Sequence, residues 1–261
     1  MFSRSLALSA ALFLLAGCTE YHAPGGPADF RALGVTPEAQ QAATPADINA
    51  DFNKHPLAAF PANLAVVRIQ APGYVSDTAQ GFGSGAYSVV LTRDVEPENA
   101  ITRLSKLPQL RGVAPVGRLL LPTQLNSDRE LREAAARLQC DMLLIYTLDT
   151  SFHDRDTFAP ASIVTLGLSP TKATKVVTTA SAVLLDTRSG FVYGVSEASS
   201  RKDGIASAWT TESAIDADRQ RTETEAFQKL VGDVETMWKG VVQEFGPGSP
   251  RGGGTRYPTG G

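Results

Sequence analysis

The sequence predicts an α/β domain with a mixed sheet, and three observations predict it. Leu131, Ala134, Ala135 and Leu138 give a helix one buried face, and that helix runs directly into Met142 to Leu148, an almost unbroken apolar segment. Such a segment suits a central strand covered on both sides. Further on, Ala182 to Asp186 and Phe191 to Tyr193 flank Thr187-Arg-Ser-Gly190, the pattern of a hairpin whose glycine takes the positive-φ position. The third observation is a stripe at Phe227, Leu230, Val231, Val234, Met237, Trp238, Val241, Val242 and Phe245. Its steps of three and four make a long amphipathic helix, with Arg219 to Glu225 as a charged, solvated start.

The other elements follow in order. Leu64 to Ile69 is short, β-branched and preceded by proline, so it reads as the first strand. Gly73 to Gly85 is a glycine-rich loop or wide hairpin, and Tyr87 to Leu91 is a second strand. Glu98 to Leu107 is a helix with Pro97 at its start and Pro108 closing it. Val113 to Leu121 is strand-like and stops at Pro122. Ser127 and Glu130 form a capping box that opens the helix before Met142, so strand, helix and strand make a βαβ unit. Ala161 to Leu168, Lys175 to Asp186 and Phe191 to Glu197 are strand candidates of the second half.

The chain start has its own chemistry. Arg4 is followed by an apolar run from Leu6 to Ala16, too short to span a bilayer and suited to a signal peptide's core. Leu15-Ala-Gly-Cys18 has the form of a lipobox, in which Cys18 becomes the mature N-terminus and carries acyl chains. Each buried methylene contributes about 0.8 kcal/mol, and several chains together make a stable anchor. Thr19 stands where inner-membrane retention signals have aspartate, which favours the outer membrane, facing the periplasm. Residues 1–17 are thus the signal peptide, 18–61 a lipidated N-terminus and Ala/Pro/Gly-rich tether with a short helix near Ala46 to Phe52, 62–245 one α/β domain, and 246–261 a disordered Gly/Pro-rich tail.

A net charge of −3 without a basic stripe disfavours nucleic acid. With Cys18 acylated, Cys140 has no disulfide partner and reads as a buried small hydrophobe. Gly81-Phe-Gly-Ser-Gly85 fits neither a nucleophile elbow, which needs glycines where Phe82 and Ala86 stand, nor a phosphate loop, since no helix follows it. Asp149 and His153-Asp-Arg-Asp156 form the one acidic-histidine cluster, read as a solvated loop beyond the central strand. A metal site there would need His22 or His55 from the tether, so no cofactor and no metal are expected. Trp209, in a Ser/Thr-rich stretch before the last helix, is the candidate partner-contact residue.

The order of elements, with "AARLQCD" running into "MLLIYTL" and "ASAVLLDTRSGFVYG" ahead of the last helix, resembles the periplasmic lipoproteins related to the curli secretion protein CsgG. The lipobox, a Leu-Pro break before the third strand and the hairpin are similar to the rhombotarget lipoprotein family. The resemblance implies a three-layer CsgG-like domain without catalytic residues, serving as a non-enzymatic envelope scaffold or regulator through protein–protein contact. The partners it implies are an unidentified envelope protein or further copies of the chain. An oligomeric secretion pore is the second reading, with Gly73 to Leu91 and His153 to Val177 as its insertion candidates, neither of which alternates well. A metal-dependent or hydrolytic enzyme built around Asp149 to Asp156 is the third.

Overall fold

The computed structural model describes residues 26–30, 45–155, 171–207 and 212–249. In chain order its elements are α1 (Pro45–Phe52), β1 (Ala62–Gln70), three short strands β2 (Gly81–Phe82), β3 (Ser84–Gly85) and β4 (Ser88–Val90), α2 (Glu98–Leu104) and β5 (Leu110–Pro115). A 3-10 turn at Arg118–Leu120 leads to β6 (Gln124–Leu125) and α3 (Asp128–Arg137). The second half is β7 (Met142–Arg155), β8 (Thr171–Asp186), β9 (Val192–Ser207) and α4 (Glu212–Phe245).

Seven of the strands form one mixed sheet, and β1 sits near its middle. β7 runs parallel to one side of β1. The other side is divided between β5, parallel to the first half of β1, and β4, antiparallel to its end. β8 and then β9 continue the sheet antiparallel beyond β7. The crossover from β1 through α2 to β5 moves one way across the sheet, and that from β5 through α3 to β7 moves the other. α2 packs on one face and α3 on the opposite one, so both crossovers share a single hand. The expected mixed α/β fold, with its C-terminal hairpin and long last helix, is what the chain adopts.

Alternation divides the core into two layers. Leu64, Val66, Met142, Leu144 and Tyr146 pack against Phe227, Leu230 and Val234 of α4 and against Leu104 of α2. Ala65, Val67, Leu143 and Ile145 face the other way, onto Leu131, Ala134 and Ala135 of α3. Helices on both faces explain why Leu64 to Ile69 and Met142 to Leu148 are almost wholly apolar. Trp238 is fully buried, and its indole N–H donates to the Pro108 carbonyl at 2.7 Å. α3 starts where the capping box places it: the Glu130 carboxylate accepts from the Ser127 N–H at 3.0 Å, while the Ser127 hydroxyl oxygen accepts from the Arg129 N–H.

The β8–β9 hairpin turns on a buried carboxylate. Gly190 takes φ 70°. Asp186 Oδ1 accepts from the N–H groups of Arg188 and Ser189, and Oδ2 accepts from the Tyr193 hydroxyl at 2.9 Å. The same Oδ2 accepts from the N–H groups of Leu57 and Ala58, at 2.6 and 2.7 Å, and so holds the chain that enters β1. Residues 26–30, within the stretch expected as tether, also pack on the body. Ala28 is buried, its N–H donates to Thr147 Oγ1 at 3.0 Å, and Pro27 pairs with Gln70.

Four expectations are corrected. The second helix ends at Leu104, with Ser105 as its C-cap, rather than at Leu107. The third strand begins at Leu110, where Gln109 has just accepted the Ala62 N–H, and gives way to a 3-10 turn before Leu121. Asp149 to Arg155 is strand rather than loop, paired residue for residue with Thr179 to Ala173. One face of the charged start of α4, with Asp216, Arg219, Thr222 and Glu223, is buried rather than solvated, Glu223 meeting Arg68 on the sheet, while Arg221 and Glu225 are exposed. Ala161 to Leu168 lies outside the described residues.

Candidate functional site

Ligands of open α/β sheets bind beyond the carboxyl ends of their parallel strands. At that end of β1 stands Arg68, a charge amid the apolar Val67 and Ile69, and only 2% exposed. Its Nη1 donates to Asp94 Oδ1 at 2.9 Å and lies 3.5 Å from Glu96 Oε1. Its Nη2 donates to the Tyr74 hydroxyl at 3.1 Å and lies 3.8 Å from Glu223 Oε2 on α4. Arg219, one turn earlier on α4 and fully buried, donates to Glu223 at 2.6 Å and to Asp216 at 2.7 Å.

Hydroxyl groups from the sheet complete this network. Thr150 of β7 donates to Glu223 Oε1 at 2.9 Å and lies 2.9 Å from the Thr178 hydroxyl of β8. Tyr146 donates to Glu96 Oε1 at 2.8 Å. Thr78 and Gln220 link Asp94 to Asp216 around the outside. Two guanidinium groups therefore stand among four carboxylates, an excess of negative charge in a poorly solvated place. Burial holds the Glu96 carboxyl above its ordinary value of 4.5, although Arg68 opposes the shift. Burial works against the charge of both arginines, yet the surrounding acids outweigh it and raise them. The phenol of Tyr146 is raised by burial and by Glu96.

The network chiefly fastens the first three turns of α4 to β1, β7 and β8. A cavity of about 40 Å³, little more than one water molecule, touches Arg68, Glu96 and Tyr146. Arg68 Nε and Arg219 Nη2 are buried without a partner among the described residues.

A larger space lies on the opposite face of the sheet. Here β7, β8 and β9 present Thr147, Asp149, Thr179, Ser181 and Glu197, and residues 27–30 form one wall of an open groove of about 750 Å³. Of the acidic-histidine cluster, Asp149 alone has a described side chain in this groove; the backbone of His153 to Arg155 continues β7, and Asp156 is outside the described residues. A second cavity, of about 310 Å³, lies at the other end of the sheet beside Asn63, Arg111, Cys140 and Arg188. Cys140 is buried, as its apolar flank predicts, and burial raises its thiol pKa. Gly81 to Gly85 form two short strands, where Gly83 and Gly85 at positive φ lie so close to Leu125 that a side chain would clash. Cys18, His22 and Trp209 fall outside the described residues, and His55 is exposed on the segment before β1. Among the described residues, no group of His, Cys, Asp and Glu is placed to hold a metal.

Sequence reasoning missed Arg68, Glu96, Arg219 and Glu223. A signal for half of them existed: Asp216, Arg219 and Glu223 continue the three-and-four spacing of Phe227, Leu230 and Val234 upstream. Charge on the buried stripe of a helix implies opposite charge on the surface it covers, and Arg68 was the odd residue of an apolar strand.

No family model matches this chain, and no curated protein matches its sequence. Among solved structures, it is similar to protein XCC0632 from Xanthomonas campestris, described by the family model DUF330, with a TM-score of 0.30 and 13% identity over 72% of this chain and 90% of that one. At that score the likeness carries no argument for function, and neither a CsgG-like nor a rhombotarget family is shown.

Proposed function

We propose that this chain is a bacterial lipoprotein, held on the outer membrane by acyl chains on Cys18, that acts as a non-enzymatic envelope scaffold or regulator. The contact surface in this reading is the open face of β7, β8 and β9. One observation carries it: residues 27–30, which follow Cys18 so closely, form a wall of the groove on that face. Gly26 comes eight residues after Cys18, and an extended chain spans at most about 3.5 Å per residue. A lipidated Cys18 therefore keeps the groove within roughly 30 Å of the bilayer. The carboxylates of Asp149 and Glu197, set among Thr147, Thr179 and Ser181, suit a polar partner surface rather than an apolar ligand. A CsgG-like or rhombotarget relationship is the finer form of the same proposal.

A secretion-pore subunit is the second reading, favoured by the length of β7, β8 and β9, 14, 16 and 16 residues. A membrane strand needs about ten residues with an apolar outer face. Along the described part of these strands one face lies under α4, while the other carries Leu143, Ile145, Val183 and Leu185 under α3 and then Thr147, Asp149, Thr179, Ser181 and Glu197 in the groove, which ranks the pore below the scaffold. Among the described residues, no helix is long and apolar enough to cross a membrane. The test is a photo-reactive phenylalanine analogue in place of Ser181, irradiated in living cells. A discrete adduct with another envelope protein is expected. Adducts confined to cytosolic proteins, or a ladder of the chain itself joined through this face, would overturn the scaffold reading.

A further inference from the structure

β9 is the outer strand of the sheet, and among the described residues nothing pairs with its free edge. Its residues divide cleanly. Ser196, Ala198, Ser200 and Lys202 point toward α4, where Ser200 donates to Glu225 and Lys202 to Asp218. Val195, Glu197, Ser199, Arg201 and Asp203 are exposed on the open face. The Ser199 carbonyl accepts from Lys229 Nζ at 2.9 Å, so its backbone is directed away from β8 and toward the free edge. The bulge in this strand lies opposite Leu184 and Leu185, near its start, which leaves Val195 to Asp203 regular.

We infer that β9 pairs antiparallel with β9 of a second copy, about a two-fold axis at Ser199, so that the two sheets become continuous. This adds a contact at the sheet edge to the envelope role proposed above, leaves the open face to a foreign protein, and rests on that reading. The register follows from charge and from the alternation of faces. Centred on Ser199, the pairing sets Glu197 of each copy opposite Arg201 of the other, on the same face and at two symmetric places. Centring on Glu197 or on Arg201 opposes like charges directly, and shifting by one pair toward the end of the strand sets Glu197 against Asp203. The opposite shift leaves both charges facing neutral residues, and a slip of one position sets the edge-directed backbone of Ser199 opposite backbone groups directed at β8, so no ladder forms. Arg201 already holds Asp203 of its own strand at 2.8 Å, so Glu197 of the second copy completes an acidic pair around one guanidinium. Lys229 covers a single carbonyl of the edge and is exposed, so it can move aside.

The experiment is disulfide trapping in intact cells with the full chain. Residues directly opposite in a hydrogen-bonded antiparallel pair have Cα atoms about 5.5 Å apart, which a disulfide can bridge. Under copper–phenanthroline, Ser199→Cys is expected to give a covalent dimer, whereas Ser196→Cys, which faces α4 and would lie opposite Lys202, is expected to stay at the wild-type background. In the Ser199→Cys chain, Glu197→Arg or Arg201→Glu alone is expected to lower the dimer at least fivefold, and the two together to restore it to within twofold. Absence of the dimer, equal trapping at 196 and 199, or a double exchange that stays low would overturn the pairing. The scaffold reading would survive those results if the position-181 adduct with a foreign envelope protein still forms.

Discussion

Replacing Arg219 by methionine removes the cation that joins the start of α4 to itself and, through Glu223, to the sheet. The side chain is fully buried and holds Glu223 at 2.6 Å and Asp216 at 2.7 Å. Its loss leaves two carboxylates in a poorly solvated place. Glu223 keeps the Thr150 hydroxyl at 2.9 Å and a distant Arg68, and Asp216 keeps the Gln220 amide at 3.0 Å. Breaking one side of a buried ion pair costs about 3–5 kcal/mol, and these remaining hydrogen bonds favour the lower end. For a domain of this size the fall in Tm is roughly 2–4 °C per kcal/mol, so about 6–12 °C for a loss near 3 kcal/mol. The assay is urea unfolding followed by circular dichroism, with Arg129→Met as the control. Arg129 pairs with Glu133 in solvent, so its loss should cost no more than about 0.5 kcal/mol. A variant that neutralises the stranded acid as well, Arg219→Met with Glu223→Gln, should recover part of the loss. If Arg219→Met costs no more than the Arg129 control, the start of α4 is not held by this network and the reasoning fails.

Other expectations follow from the same structure. Burial holds Glu96 above 4.5, so the stability its protonation contributes is complete below pH 4.5 and declines as pH rises through the raised folded value. Glu96→Gln, permanently neutral, should flatten that decline; wild-type and variant curves that stay parallel across the same pH range would contradict it. Asp186→Asn puts an amide where five donors converge and should cost at least about 2 kcal/mol, with faster proteolysis near Leu57. An unchanged urea midpoint would show that the turn does not depend on the carboxylate. Cys140 is 5% exposed with its thiol raised by burial, so a thiol reagent should reach it only in denaturant. Rapid labelling of the native protein would contradict that burial.

The parts of the fold legible in the sequence are those set by local pattern. The capping box at Ser127 and Glu130 marks the start of α3 because two neighbouring residues satisfy each other's backbone there. The apolar run from Met142 identifies a strand covered on both faces, and Gly190 marks the hairpin turn. Legibility fails where partners are distant. β9 extends past Glu197 through polar residues because β8 supplies hydrogen bonds all along it, a support no single-strand pattern reveals. Glu223 looks solvated in sequence because its partners beyond Arg219 are Arg68 and Thr150, more than 70 residues away. The groove is illegible for the same reason: residues 27–30 come to lie beside Asp149 and Glu197 only after the sheet has formed.

The central claim is a protein held at the envelope membrane through Cys18. Its most direct test is to fractionate cells expressing the wild-type chain or Cys18→Ala and to wash the membranes with high salt and then carbonate. The wild-type protein should stay in the outer-membrane pellet with an acylated N-terminal cysteine, and Cys18→Ala should lack the acyl group and wash free. A wild-type chain that washes free without acylation, or a Cys18→Ala chain equally resistant to both washes, would contradict the account.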